Sequence, residues 1–450
     1  MVGAGIGGVG GDSDRSTGRW VALSASGLIV ALSVVLVVGY AGSVGLAGTP
    51  QAAERIDVAD GGVPIRTAGS FGTPTSPDQV LDPFQNSADG DRVVAAVFAD
   101  LQEFWSAQVS AAGRPALIPP SGGFVSMDGL EGSATSGPAP SSASGTTGSP
   151  SSALCITDPA QILGNTFYCP AQDGIVFDSS ALVPVLLGSY GSAGLATAFA
   201  HEFGHAVQAQ EGPTAADRKA DPGRYPAILI EAQADCAAGA FLAHASSADA
   251  GRVHIPTGSL VRAVAPLLDF RDRPTVSPSD ATAHGLGLDR LGFVLRGFRS
   301  GGMSCWAMGT DDLSLTLGRA GTATGTEPRF DSTAAAVDAA GISVATLAGE
   351  PAAAPDAADL ERSQAIGQFA AGAAVALATG RALYGTVSGA ACFTGAWAAS
   401  VFGSVAPGQL GSWPGDADEA LDLIRSRPGV GFDELAAYSD GFNGGRAACG

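Results

Sequence analysis

The longest apolar stretch of the chain lies near its N-terminus. No residue from Trp20 to Ala53 is charged, and Val21–Ala47 is largely apolar. This length exceeds the core of a signal peptide, about 7–15 residues, and is sufficient for a membrane span of about 20 residues. We therefore predict a transmembrane signal-anchor over residues 20–47. A signal peptide that is cleaved near Ala47 is the alternative.

Two arginines, Arg15 and Arg19, precede this apolar stretch. Positive charges before a membrane span favour a cytoplasmic N-terminus. We expect residues 1–19, which are rich in glycine, to be a disordered cytoplasmic tail. The predicted location is the cell membrane, with a single pass through one N-terminal helix and the remainder of the chain outside the cytoplasm.

Two shorter patterns predict a mostly helical domain with a small sheet. Between residues 89 and 113, apolar residues such as Val93, Val97 and Leu101 fall on one side of a helix. The segment 166–180 has the β-branched and aromatic content of short strands. The predicted fold class is α+β, with helices in the majority.

Segments of mixed Gly, Pro, Ser and Thr content divide the chain. Residues 48–88 are predicted to be a linker and residues 132–152 a flexible loop, because neither can build a core. The expected organisation is one domain over residues 89–310, a linker over 311–355 and a helical unit over 356–450.

The charge of the chain argues against nucleic acid as a partner. The sequence has 43 acidic and 23 basic residues, which gives a formal net charge of −20. Binding to a phosphate backbone requires clustered Lys and Arg, and the sequence offers no such cluster.

The stretch AGLATAFAHEFGHAVQAQE, residues 193–211, carries the first candidate chemistry. In a helix, His201 and His205 are four residues apart, so both imidazoles leave the same face one turn apart. That spacing suits two nitrogen ligands of one tetrahedral zinc ion. Glu202 lies about 100° round the helix, where it can take a proton from water without ligating the metal. The alternative is a helix with two solvated histidines.

A second pair four residues apart follows in EAQAD, where Glu231 and Asp235 share one helical face. Catalytic zinc takes three protein ligands and leaves one position open, so Glu231 is the predicted third ligand. Asp235 is predicted to accept the free ring N–H of a ligand histidine, His201, and to fix its orientation. The predicted cofactor is Zn²⁺.

Six cysteines, an even number, predict disulfide bonds in an exported chain. None has the CxxC spacing of a structural zinc site, and spacing alone leaves fifteen pairings open. The cysteines are Cys155, Cys169, Cys236, Cys305, Cys392 and Cys449.

A weak internal repeat narrows these pairings. Residues 289–305 align without a gap on residues 433–449, and CAAGAF at 236–241 matches CFTGAW at 392–397. The alternative is that Ala- and Gly-rich helices resemble each other by composition. If the repeat is real, the predicted disulfides are Cys236–Cys305, Cys392–Cys449 and Cys155–Cys169.

The same repeat predicts a C-terminal copy that cannot bind metal. QAIGQ at 364–368 is expected to stand opposite HEFGH. Val387 and Ala391 are expected to replace Glu231 and Asp235. The copy should then serve packing or substrate selection beside the metal-binding half.

At HEFGHAVQ, EAQADCAAG and HGLGLDRLGFVLRGF the chain resembles the neutral zinc metallopeptidases of bacteria, a YpfJ-like family of HExxH zincins with a downstream Glu ligand. FYCP at 167–170 is similar to the family as well, and the resemblance covers about residues 89–305. It implies the zincin fold, with the three metal ligands and the catalytic base named above.

Together these features predict a membrane-anchored, extracytoplasmic zinc endopeptidase acting on peptides or proteins. His284 is expected to lie near the metal and stabilise the oxyanion, with a satisfied loop histidine as the alternative. Gly174–Asp178 is a candidate edge strand for extended substrate, or else an ordinary core strand. The rival function is a non-catalytic, zinc-stabilised cell-envelope binding protein. A structural zinc site would have four closed protein ligands and no need of Glu202.

Overall fold

The computed structural model describes residues 55–56, 65–67, 87–129, 154–156, 161–316, 330–403 and 410–450. The predicted cytoplasmic tail, the predicted membrane segment and the predicted flexible loop lie outside these residues. In the described part, many helices accompany a small mixed sheet, which confirms the predicted α+β class with helices in the majority.

The strands of the described residues form two small sheets. They are β1 (Arg55–Ile56), β2 (Ile65–Thr67), β3 (Gly123–Met127), β4 (Thr166–Cys169), β5 (Gly174–Asp178) and β6 (Val253–His254). Four of them form one sheet in the order β2-β3-β5-β4. In it, β3 is parallel to β2 and β5, whereas β4 is antiparallel to β5. The other two, β1 and β6, form an antiparallel pair.

The strand β5 lies inside the sheet, so the edge-strand interpretation is wrong and the alternative, an ordinary core strand, is confirmed. It pairs with β3 on one side and with β4 on the other. Its residues Ile175, Val176 and Phe177 are fully buried, as a central strand requires. The strand at this border of the sheet, among those described, is β4.

The helices of the first half surround one long helix that is packed against the sheet. They are α1 (Ser87–Ala111), α2 (Leu182–Glu211), α3 (Ala215–Ala220), α4 (Ala227–Ala245), α5 (Leu260–Asp269), α6 (Gly287–Ser300) and α7 (Met303–Trp306). The long helix α2 is interrupted at Gly191, whose φ of 67° favours glycine. On α1, the ring of Phe98 stacks on Phe124 of β3 and meets Phe199 of α2 edge-on. These contacts fix α2 between α1 and the sheet.

Within the described residues, one helix is long and apolar enough to cross a membrane, and it is α2. In the most apolar 18-residue stretch of this helix, 56% is buried inside the protein. Because α2 also contacts α1, α4, α5 and the sheet, its hydrophobicity is accounted for by its place in the core.

In its described part the second half is built from helices, with one isolated bridge between Phe402 and Ser412. Its helices are α8 (Thr333–Ala348), α9 (Ala357–Ser363), α10 (Gln368–Tyr384), α11 (Val387–Ser400), α12 (Asp416–Arg425) and α13 (Phe432–Gly444). The helix α8 lies in the segment predicted to be a linker, with Ala340 and Val344 fully buried. Its Ser343 accepts a hydrogen bond from Trp397 Nε1 at 2.9 Å. An Ala-rich segment buries little area per residue, so its sequence gives only a weak apolar pattern. Similarly, β1 and β2 lie in the other predicted linker, residues 48–88.

The helix pair α4–α6 and the pair α11–α13 are held together by the same contacts. In each pair, two glycines lie against carbonyl oxygens of the facing helix, where an added Cβ would overlap the oxygen. The contacts are Gly239 with Val294, Gly297 with Cys236, Gly395 with Tyr438 and Gly441 with Cys392. In the aligned repeat, each contact of the second helix pair joins the two residues that correspond to those of one contact in the first pair. The predicted repeat is therefore present in the backbone packing.

The helix α10 corresponds to the C-terminal part of α2, but not in the predicted register. Gly204 of α2 lies against Ala234 of α4, and Gly380 of α10 lies in the same way against Ala390 of α11. Because Ala390 is the counterpart of Ala234, the segment LATGR at 377–381 stands opposite HEFGH. The predicted equivalence with QAIGQ is wrong, since the connection between the two helices is shorter in the second unit than the sequence alignment assumed.

The corrected register leaves the second unit without the ligand set of the first. The five positions that correspond to the two histidines and three acidic residues hold Leu377, Ala378, Arg381, Val387 and Ala391. The replacement of the last two acidic residues is as predicted.

All three predicted disulfides are present in the structure. They are Cys155–Cys169, Cys236–Cys305 and Cys392–Cys449. The two long bridges join equivalent positions, so each unit closes its own helix pair.

Gly441→Ala is expected to lower the free energy of unfolding by about 2 kcal/mol or more, because the new Cβ overlaps the Cys392 carbonyl. The matched control is Gly341→Ala on α8, where no neighbouring atom lies within 4 Å of an added Cβ. That change should be neutral or stabilising by about 0.5–1 kcal/mol. Chemical denaturation measures both, and equal effects would contradict the close packing of α11 on α13.

Candidate metal centre

The C-terminal part of α2 brings two histidines into the core. His201 is 1% and His205 is 3% exposed, and their ring centroids are 4.9 Å apart. Gly204 stands between them in the sequence, against the backbone of Ala234. Because residue 204 has no side chain, α4 approaches α2 closely beside the two imidazoles.

Glu231 of α4 meets both imidazoles. Its Oε2 is 3.2 Å from His201 Nε2, and its Oε1 is 3.6 Å from His205 Nε2. One ligand atom from each of the three residues lies within 4.8 Å of the other two. The structure thus brings the three predicted ligands together.

Asp235 contacts His201, as the sequence predicted. Its Oδ1 lies 2.7 Å from His201 Nδ1, which directs Nε2 of the same ring towards Glu231. Arg290 of α6 donates to both carboxylate oxygens of Asp235, at 2.8 and 2.7 Å. Both partners are fully buried. Burial opposes the charge of Asp235, but Arg290 and His201 outweigh it and hold the pKa of that carboxyl below its ordinary value.

Gln208 is the neighbour of the second histidine. Its Oε1 lies 3.4 Å from His205 Nδ1. Its Nε2 donates to the carbonyl oxygen of Ile230 at 3.1 Å and to Gln233 Oε1 at 2.6 Å. The amide of Gln208 is therefore held from α4, so the orientation of His205 depends on the same helix that supplies Glu231.

Glu202 lies between the metal group and the sheet. The backbone N–H of Tyr168 on β4 donates to its Oε2 at 3.1 Å. Its Oε1 is buried without a hydrogen-bond partner. Burial raises the pKa of Glu202 to about 7, so the carboxyl group is poised to exchange a proton near neutrality.

His284 reaches the same place from the segment before α6. Its Nε2 is 3.6 Å from Glu231 Oε2, and the residue is 8% exposed. The backbone N–H groups of His284 and Gly285 both donate to Asp272 Oδ2 at 2.7 Å. Burial lowers the pKa of His284. The predicted proximity to the metal group is therefore observed.

The chemistry of these donors fits a divalent cation such as zinc. Four buried atoms of this group have no hydrogen-bond partner: His201 Nε2, His205 Nε2, Glu231 Oε2 and His284 Nε2. Buried polar atoms without a partner are costly and rare in folded proteins. Imidazole nitrogen and carboxylate oxygen are zinc ligands, so an ion held by the first three would satisfy them.

The carboxylates around His201 favour a positive charge on its ring. Burial lowers the pKa of His201, but Asp235 and Glu231 outweigh it and raise the value to about 10. Carboxylates that hold a proton so firmly would also stabilise a bound cation.

Sequence reasoning did not assign Arg290 or Gln208 to the site. Gln208 is three residues after His205, a spacing at which side chains share a helical face, so its position was open to prediction. Arg290 lies in the motif HGLGLDR that carries the family resemblance. Its contact with Asp235 depends on how α6 packs on α4, which no local spacing reveals.

Comparison with known proteins supports the same chemistry. A family model described as "Putative neutral zinc metallopeptidase" matches residues 151–307. The resemblance to this family is confirmed. The matched segment contains the metal group, Glu202 and His284, and it indicates a zinc metallopeptidase that acts on peptides or proteins. No curated protein and no solved structure matches the chain.

The purified full-length chain is expected to carry about one zinc ion, and Glu231→Ala should lose it because one of three protein ligands is removed. Asp235→Ala should weaken zinc binding by about 10–100-fold, since His201 loses its orienting partner. Metal analysis and chelator competition measure both. His254→Ala, on β6, is the control and should keep the ion. Stoichiometric zinc in Glu231→Ala would contradict the ligand set.

Proposed function

We propose that the chain is a membrane-anchored, extracytoplasmic zinc endopeptidase in which His201, His205 and Glu231 hold the metal. The single observation that carries this proposal is the convergence of their unpartnered buried atoms beside a carboxylate, Glu202, that does not belong to the ligand group. A site that served stability alone would have no need of that carboxylate.

A zinc ion bound there would polarise a substrate carbonyl and lower the pKa of water. Glu202 accepts the proton of the attacking water at Oε1 and then donates it to the nitrogen of the leaving amine. The N–H of Tyr168 holds Oε2, so that only Oε1 is free for this transfer. Burial raises the pKa of this carboxyl above its ordinary value, which favours its taking up a proton from water.

His284 is proposed to stabilise the transition state. Its burial favours the neutral imidazole, which donates one hydrogen from a single ring nitrogen. Donation from Nε2 to the substrate carbonyl oxygen, as that oxygen gains negative charge, would lower the barrier. The distance of 3.6 Å between His284 Nε2 and Glu231 Oε2 supports this role, because it places the donor beside a proposed ligand.

A groove at the start of α4 is proposed to hold part of the substrate. The groove is about 550 Å³ in volume and is lined by Ile228, Leu313 and Leu315 among others. Ile228 is one turn before Glu231, and a Cβ on Gly285 would lie 3.4 Å from its Cδ1. An apolar side chain of the substrate would fit this groove.

One observation favours a second candidate, a non-catalytic envelope protein stabilised by zinc. His284 Nε2 is close enough to Glu231 that a small movement would add a fourth protein ligand and close the site. Such a protein would lose its metal in His284→Ala, whereas the proposed peptidase would keep its metal and lose rate.

Glu202→Gln is expected to keep one zinc ion and to lose nearly all peptidase activity, because the base is removed while the ligand set stays intact. The measurement is cleavage of a responsive peptide, alongside metal analysis of the same sample. Glu103→Gln, on the surface-exposed part of α1, is the control and should match the wild type. Cleavage by Glu202→Gln at the wild-type rate would rule out the mechanism.

The proposed location rests on the sequence before the described residues. The uncharged stretch behind Arg15 and Arg19 supports a single span with the domain outside the cytoplasm. Three disulfides support an oxidising compartment.

Protease added to intact spheroplasts is therefore expected to degrade the domain while a cytoplasmic marker survives. Immunodetection of the domain measures the result. Protection of the domain until the membrane is lysed would reverse the proposed topology.

A further inference from the structure

We propose that Asp418, in the unit that does not bind metal, is a positioning residue for His284. The proposal rests on the catalytic role proposed above for His284. It gives the second unit a defined task in the reaction of the first.

The carboxylate of Asp418 caps the helix that follows His284. Its Oδ2 accepts the backbone N–H of Gly287 at 2.8 Å, and its Oδ1 accepts that of Leu288 at 2.7 Å. These N–H groups begin α6 and have no acceptor within the helix. Asp418 is 2% exposed, so water does not replace these bonds. The second unit thus fixes the chain three residues after His284.

The chain before His284 is fixed by the same group of charges. Arg271 Nε lies 3.2 Å from Asp418 Oδ2, and Asp272, the next residue, accepts the N–H groups of His284 and Gly285. A Cβ on Gly287 would lie 3.0 Å from Arg271 and 3.2 Å from Asp418, so the packing there leaves little space. The segment 284–288 is therefore held by Asp272 at one end and by Asp418 at the other.

The capped helix also supports the metal group. Arg290 lies in the first turn of α6, fully buried, and orients Asp235 and through it His201. Arg290 is held by its own two bonds to Asp235, so loss of the Asp418 cap is expected to displace the His284 segment and to leave the metal group in place.

Two further bridges between the units, Arg271–Asp422 and Arg425–Asp269, lie beside the same group of charges, but a third does not. Arg299 pairs with Asp440 at 2.8 Å, and both side chains are more than 40% exposed. This pair lies at the opposite, C-terminal end of α6. It provides a matched control, because removing it breaks a contact between the units without touching residues 284–288.

The test compares Asp418→Asn with Asp440→Asn in the full-length chain. Asparagine is nearly isosteric, yet it can accept only one of the two backbone bonds. Hydrogen exchange at residues 284–288 is the readout that does not depend on activity. We expect exchange about tenfold faster in Asp418→Asn, and unchanged exchange in Asp440→Asn. Unfolding curves establish that both variants are folded.

Kinetics supply the second readout. Asp418→Asn should lower kcat by about tenfold with little change in KM and with zinc retained. The reason is that His284, which donates a hydrogen bond to the transition state, is displaced. In the double variant Asp418→Asn/His284→Ala, activity should equal that of His284→Ala alone, because the two residues act through one group.

Three results would overturn the proposal. They are unchanged hydrogen exchange at residues 284–288 in Asp418→Asn, a wild-type kcat in that variant, and losses of activity that are additive in the double variant. If Asp418→Asn does not fold, Asp418→Ser, which is smaller and can accept only one of the two backbone bonds, is measured by the same criteria, and the same faster exchange and lower kcat are expected. If the wild type cleaves no peptide, the proposed function fails, while hydrogen exchange still decides whether Asp418 holds the segment.

Discussion

The burial of three carboxylates in one small volume is the constraint on which the rest of the structure depends. Glu202, Glu231 and Asp235 are each no more than 3% exposed, and an unpaired buried charge costs several kcal/mol. Arg290 balances Asp235, and the N–H of Tyr168 binds Glu202. Glu231 has imidazoles beside it and, as we propose, a cation. These partners come from separate elements, β4, α2, α4 and α6, so the fold must bring those elements to one point.

Much of the candidate site was predictable because it depends on local geometry. The rise and turn of a helix fix the relation of His201 to His205 and of Glu231 to Asp235. The contact between the two pairs required only that their helices meet, and small residues such as Gly204 and Ala234 permit that. The disulfides were predictable because the repeat reduced fifteen pairings to one.

The features that the sequence did not predict correctly depend on contacts between distant parts of the chain. The order of strands places β5 inside the sheet, although its continuous run GIVF is itself typical of a buried strand. The register of α10 on α11 was mistaken because an Ala-rich helix offers many similar alignments and only its glycine contact distinguishes them. The pairing of Arg290 with Asp235 and the capping of α6 by Asp418 join residues 55 and 130 positions apart, which no spacing rule covers.

The bridge between Cys236 and Cys305 bears on how long the site would retain an ion. Cys236 follows Asp235 directly, and the bridge encloses α5, the His284 segment and α6. Release of an ion requires a local opening in which Glu231 moves away from α2. The crosslink joins α4 to α7, directly after α6, and so limits how far α4 can move in any such opening. If an ion is bound as proposed, the bridge would slow its exchange, because it restrains the helix that supplies Glu231.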